Sequence, residues 1–348
     1  MSGELAVDYL GLELASPIVV GACPLTKEPE TVRQLVGAGA GAIVLPSMLQ
    51  EQIVHHQMKQ DDPLGAIANS GYQPQQDRYN GGVEAYLQTI QLLKDTAGVP
   101  IIASMNGSSP GDWLSYAGDL QSAGADALEF NLQAGVPQGR EPAGAIEARL
   151  ADMIRDVCER VSIPVAVKIS QRYTNLASMT GQLTQAGAKG IVLFTHLPQW
   201  DVCTDRQHWT IRWELSPADS MGGILEGIVR VRAGDENVSI AASGGVATSE
   251  DAIKAMIAGA NVAMVTSAVY REGPDVVRNM VDGIARHIQI SPHTTLREFQ
   301  AAMPRADVGS ERTMRLEYVD PLTRGDSYFD PTPAVPQQTG DSYGHRTQ

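Results

Sequence analysis

Short apolar runs with little polar alternation recur along this chain, and each follows a stretch whose apolar residues are spaced as on one face of a helix. The clearest copies share one punctuation, Ala-Gly-Ala followed within a few residues by an apolar run: 38–45 (AGAGAIVL), 123–130 (AGADALEF), 186–194 (AGAKGIVLF) and 258–265 (AGANVAMV). Helical spacing precedes them, for example over 31–36, 113–120 and 252–257. A helix ended by glycine explains the motif, because Gly39, Gly124, Gly187 and Gly259 can take a positive φ where a β-carbon would clash. A parallel strand covered on both faces explains the run that follows, since 41–45 and 190–194 offer no polar face to solvent.

Filling the intervals predicts eight strands, at about 17–22, 41–47, 100–105, 127–133, 164–170, 190–196, 238–243 and 261–267, with helices between them. This alternation makes either a closed α/β barrel or an open doubly wound sheet. Eight units at this spacing favour a (βα)8 TIM barrel over residues 1–300. Residues 48–82 form a long polar excursion after the second strand, with Pro63, Gly65, Gly71, Pro74, Gly81 and Gly82, and read as a loop on the active-site face, a candidate lid. Residues 301–348 read as an extended C-terminal tail, partly disordered, because 321–348 is rich in Pro, Gly and polar residues.

Composition narrows the partners. With 43% hydrophobic and 19% charged residues among 348, the chain can bury a large core, and its formal net charge of -14 disfavours nucleic acid and anionic membranes. A pocket for one phosphate stays open, because glycine-rich turns and helix N-termini bind anions without net positive charge. Cys23, Cys158 and Cys203 form no Cys-x-x-Cys pair, so neither a disulfide framework nor a metal site is signalled. No basic-then-apolar segment opens the chain and no apolar run reaches the ~18 residues of a membrane helix, so a cytoplasmic protein acting on a small molecule is expected, and a homodimer is allowed.

The predicted strand ends bring a polar set to the C-terminal rim: Ala22, Cys23, Ser47, Asn106, Asn131, Lys168, Thr195, His196, Gly244, Gly245, Thr266 and Ser267. The set holds no carboxylate pair, histidine cluster or Ser-His-Asp arrangement, so glycoside, metal-assisted and triad hydrolysis lack their parts. A cofactor suits it better. Lys168 lies between Val167 and Ile169, which should face the helices while Lys168 faces the barrel interior, where an ammonium needs an anion or several acceptors. The plainer alternative is a lysine whose stem packs and whose head reaches solvent. Ser243-Gly244-Gly245-Val246 after the seventh strand and Thr266-Ser267 after the eighth stand where this fold binds phosphate, although Gly-Gly alone also makes an ordinary tight turn.

These segments resemble the dihydroorotate dehydrogenases and related flavin barrels. ASGGVATSEDAIKAMIAGANVAMVTSAVYREGP at 242–274 is similar to their phosphate-binding half, FNLQ at 130–133 to their Asn-Leu-Ser motif, VAVKI at 165–169 to their lysine strand, and SPIVVGA at 16–22 to their first strand. Asn69-Ser70-Gly71 resembles a substrate-loop asparagine motif, and the likeness runs over roughly residues 5–300. The resemblance implies FMN as cofactor, contacted by Gly21, Ala22, Ser47, Asn106, Asn131, Lys168, Ser216, Gly244, Gly245, Thr266 and Ser267. It implies substrate contacts from Asn69, Asn131 and Thr195, with Lys168 beside the flavin ring. Ser216 is placed only by its spacing to Gly244.

The departures fall on the substrate side. Where the family carries a cysteine or serine base, this chain has Gln133-Ala134-Gly135, and where it carries Thr-Lys-Ser, this chain has Leu45-Pro46-Ser47. Thr195, followed by His196, replaces the family's asparagine after the sixth strand. His196, with an unperturbed pKa near ~6.5, is the leading replacement for the base; a structural rim histidine is the alternative, and Cys23, Tyr72 and Tyr173 are weaker candidates. An FMN-dependent oxidoreductase acting on something other than dihydroorotate is thus expected, against the alternative of a non-redox barrel binding a phosphorylated ligand or flavin as a silent subunit.

Overall fold

The computed structural model describes residues 4–61, 79–133, 141–218, 220–303 and 319. Nearly all of the expected tail, and positions 62–78 of the expected lid, including Asn69 and Tyr72, lie outside those residues.

The chain opens on a hairpin, β1 (Val7–Tyr9) and β2 (Leu12–Leu14), whose two-residue turn puts Leu10 and Gly11 both at positive φ. That is the turn geometry that matches strand twist. The Leu10 amide donates to Ser239 Oγ and the Asn261 side-chain amide donates to the Asp8 carbonyl. Both partners stand where barrel strands begin, so the hairpin closes the barrel's N-terminal mouth.

Next come β3 (Ile18–Val20), β4 (Ala42–Val44), a short β5 (Met48–Leu49), β6 (Ile101–Gly107), β7 (Ala127–Leu132), β8 (Val165–Ile169) and β9 (Gly190–Leu193). A second hairpin, β10 (Gln199–Cys203) and β11 (His208–Arg212), precedes β12 (Ser239–Ser243) and β13 (Val262–Val265). Eight of these pair in parallel, in the order β4-β3-β13-β12-β9-β8-β7-β6, and pairing of β4 with β6 through Ile43 with Ile101 and Val44 with Ile102 closes the ring. Closure excludes the open sheet. The protein is an α/β (βα)8 barrel, and β5 only extends the ladder beside β6.

The Ala-Gly-Ala motif does what its composition predicts. Gly39, Gly124, Gly187 and Gly259 have φ of +104°, +102°, +112° and +116°, each at the step from helix to strand. The eight strand predictions agree with the observed strands to within three residues at every end. Two expectations need correction. The excursion expected to be loop from 48 begins as a helix, Gln50–Asp61, whose Ile53 packs into the core; its helical pattern is weak because polar residues dominate it. The β10–β11 hairpin stands where a simple strand-to-helix loop was expected, on alternating residues such as Trp200, Val202, Trp209 and Ile211. No helix among the described residues is long and apolar enough to cross a membrane.

Two glycine substitutions test this architecture. Gly187→Ala forces a β-carbon at φ +112° to within 2.9 Å of Cys158 Cβ and should cost about 1–3 kcal/mol. Gly118→Ala, mid-helix in Tyr116–Ser122 with nothing within 4 Å of its new β-carbon, should gain about 0.5–1 kcal/mol. Denaturant midpoints of the two variants check both signs.

Candidate active site

The strands deliver their last residues to a cavity of about 590 Å³ at the C-terminal mouth of the barrel. Ten expected residues line it: Ala22, Cys23, Lys168, Thr195, His196, Ser216, Gly244, Gly245, Thr266 and Ser267. Ser47, Asn106 and Asn131 stand back from it. Strand register explains the last two, because Asn106 pairs with Asn131 and Asn131 with Lys168, so all three share one layer across β6, β7 and β8. The Asn106 side-chain amide donates to the Asn131 carbonyl at 3.2 Å, while Asn131 Oδ1 is buried without a hydrogen-bond partner among the described residues. Ser47 Oγ is 2.8 Å from Ser104 Oγ inside the barrel.

Glycine makes the rim approachable. A β-carbon on Gly21 would come within 2.7 Å of Thr266 Oγ1, and one on Gly245, whose φ is +65°, within 2.5 Å of Ser220 Oγ. Around these glycines the segment 213–218 is tied down. The Ser216 amide donates to Ser267 Oγ at 3.0 Å, and Arg271 donates to the Ser216 carbonyl at 2.6 Å. Ser216, placed by spacing alone in the sequence, therefore does reach the rim. The following helix, Ser249–Ala258, is closed at its N-terminus by its own residues, with Thr248 and Asp251 forming a reciprocal capping box. The amides of Ala247 and Thr248, just before it, donate to the Asp251 carboxylate.

His196 stands beside Ser216 in the same lining. Its Nδ1 is 3.5 Å from Ser216 Oγ, its Nε2 is buried without a partner among the described residues, and its ring meets Trp213 edge-on at 5.2 Å. The third wall holds Cys23, Tyr79 and Tyr270. Burial pushes the Cys23 thiol above its ordinary range, against a smaller opposing pull from hydrogen bonds that include Tyr270 and Thr26. Burial likewise raises Tyr79, and raises Tyr270 to about 12. Burial thus favours the protonated form of all three groups.

The rim was expected to be polar without being acidic, and the interior corrects this. Glu129, fully buried on β7 one layer below Asn131, lies with Oε1 3.5 Å from Lys168 Nζ. Lys168 does point inward, at 9% exposure, which excludes the reading in which its head reaches solvent. Glu129 lies mid-strand, two residues before Asn131, so position at a strand end does not single it out. Gln171, Trp213 and Glu214 also line the pocket unannounced, the last two because they follow the unforeseen hairpin. Asn69 lies outside the described residues, and no group of three metal-ligating side chains occurs among the described ones.

Comparison with known proteins agrees with this geometry. Residues 4–288 match the family model for dihydroorotate dehydrogenase. A protein of Aeropyrum pernix, named as a candidate dihydroorotate dehydrogenase A (fumarate), is 27% identical over 87% of this chain and 98% of its own length. The catalytic subunit of dihydroorotate dehydrogenase B (NAD(+)) from Pyrococcus abyssi is 24% identical over 84% of this chain and 97% of its own. With the barrel closed and residues 4–288 matched by the family model, the chain belongs to the dihydroorotate dehydrogenase family of flavin-dependent oxidoreductases.

Proposed function

We propose that this enzyme uses FMN to oxidise or reduce a small substrate other than dihydroorotate. The feature that carries the reading is a division of labour: positions that match the family's flavin contacts are mostly kept, while several that match its substrate contacts are changed.

The residues fit FMN. A cavity of about 590 Å³ lined by Gly244 and Gly245 is within the range of small-molecule sites. Backbone at Gly244 and Gly245, with the hydroxyls of Ser216, Thr266 and Ser267, would hold the phosphate. Asn131 Oδ1, a buried acceptor without a partner among the described residues, and Lys168 would hold the ring. When bound, FMN supplies hydride transfer at its ring. Lys168 presents a positive charge that favours added negative charge beside it. His196, with Nε2 uncommitted and Nδ1 against Ser216, is placed to hold or release a substrate proton.

On the substrate side, Pro46 offers neither the charge nor the donors of the family's lysine. Ala134, which lies outside the described residues, has no group that accepts a proton. Both losses fall on binding and deprotonating dihydroorotate.

The absorbance of the purified protein between ~350 and ~500 nm tests the cofactor directly. Flavin bands are expected, and a colourless protein that takes up no FMN on reconstitution would contradict the reading. Gly245→Val should keep the far-ultraviolet circular dichroism of the barrel and weaken FMN binding by about 10- to 100-fold, the worth of one or two charge-assisted hydrogen bonds; titration of apoprotein with FMN measures it. Mixed anaerobically with dihydroorotate, the holoprotein should keep its flavin colour, because loss of a positioned base alone slows such steps by about 10²–10⁴-fold. Rapid bleaching in a stopped-flow trace would mean that an unrecognised base serves this substrate.

A further inference from the structure

Below the pocket lies a carboxylate that the family's pattern of flavin contacts does not use. Glu129 is 1% exposed, and neither of its oxygens has a hydrogen-bond partner among the described residues. Its ion-pair partner is Lys168, at 3.5 Å. The register explains the meeting: Glu129 pairs with Ala166 and Asn131 with Lys168, so the two charged side chains occupy successive layers on the inner face of neighbouring strands.

Two buried phenols feel the charge of Glu129. Tyr9 enters from the hairpin that plugs the barrel and is fully buried, with its hydroxyl unpartnered among the described residues. Tyr86 lies beside Ser104, whose carbonyl accepts from its hydroxyl and whose amide donates to it. Burial pushes both phenols well above their ordinary range, and the charge of Glu129 adds to the shift in each. Both stay neutral. Besides Lys168, no cation pairs with this carboxylate among the described residues.

A buried carboxylate without hydrogen bonds is costly, and an apolar residue would fill the same space at lower cost. Hydrogen bonding does not explain why it is there. Its charge does, because its ion-pair partner among the described residues is the Lys168 ammonium on the neighbouring strand, which lines the pocket.

We propose that Glu129 is a positioning residue, which holds the Lys168 ammonium at the pocket floor and offsets part of its charge. It thereby sets how much more tightly the pocket binds reduced than oxidised FMN. The inference rests on the flavin reading given above. A bare ammonium would favour the extra negative charge of reduced FMN strongly, and a paired one favours it less.

The test measures dissociation constants of oxidised FMN and of dithionite-reduced FMN, anaerobically, for the parent, Glu129→Gln and Lys168→Met. The ratio of the two constants is a thermodynamic quantity that merely loosened packing would not move in a chosen direction. Glu129→Gln should shift the ratio toward reduced FMN by about tenfold, which for a two-electron couple is about 30 mV upward in potential. Lys168→Met should shift it the other way. Should Glu129→Gln not fold, Glu129→Asp, which withdraws the carboxylate by one methylene, should shift the ratio in the same direction and less. A parent that takes up no FMN overturns the flavin reading. A parent that binds FMN while the ratio stays put, or falls, in whichever Glu129 variant folds overturns this inference alone.

Discussion

A lysine ammonium inside a closed barrel must have a counter-charge, and the placement of Glu129 one layer below Lys168 is the constraint on which the rest of the site depends. Closure of the ring between β4 and β6 denies both side chains an exit to solvent. The β1–β2 hairpin seals the lower mouth and brings Tyr9 under the pair. The ammonium therefore has one direction left, upward, toward the cavity and the layer shared with Asn106 and Asn131. In an interior of low effective dielectric such a charge acts at longer range than it would in water.

Around that fixed charge the rim divides by chemistry. The glycines of the first and seventh strand ends pack closely against Thr266 and Ser220, where a β-carbon would clash. Burial favours the protonated forms in the wall of Cys23, Tyr79 and Tyr270, and His196 stands against Ser216 with its Nε2 without a partner among the described residues. In the proposed reading, the half that would meet cofactor is the half that matches the family, and the half that would meet substrate has drifted. That pattern is what a retained redox centre turned to a new substrate would leave.

Much of this was legible in the sequence, for a physical reason. Helix-glycine-strand punctuation is local, so Gly39, Gly124, Gly187 and Gly259 marked their positive-φ steps without any tertiary information. Inward orientation of Lys168 followed from strand alternation between Val167 and Ile169. What escaped depends on pairing between distant segments. Glu129 reads as an ordinary member of an apolar strand until register with β8 sets it against Lys168. Trp213 and Glu214 enter the pocket only because an unforeseen hairpin redirects the chain, and Gln50–Asp61 forms a helix from residues too polar to show a clear apolar face.

The buried pair itself is open to a direct measurement on apoprotein, free of any assumption about cofactor. Chemical denaturation of Glu129→Gln, Lys168→Met and the double variant gives the energetic interaction between the two side chains. If the pair anchors the site as described, breaking it from either side should cost about 3–5 kcal/mol, since it strands a buried charge. The double variant should then be more stable than either single one. Single losses that simply add in the double variant would show that Glu129 and Lys168 do not act as a pair, and would contradict the account at its base.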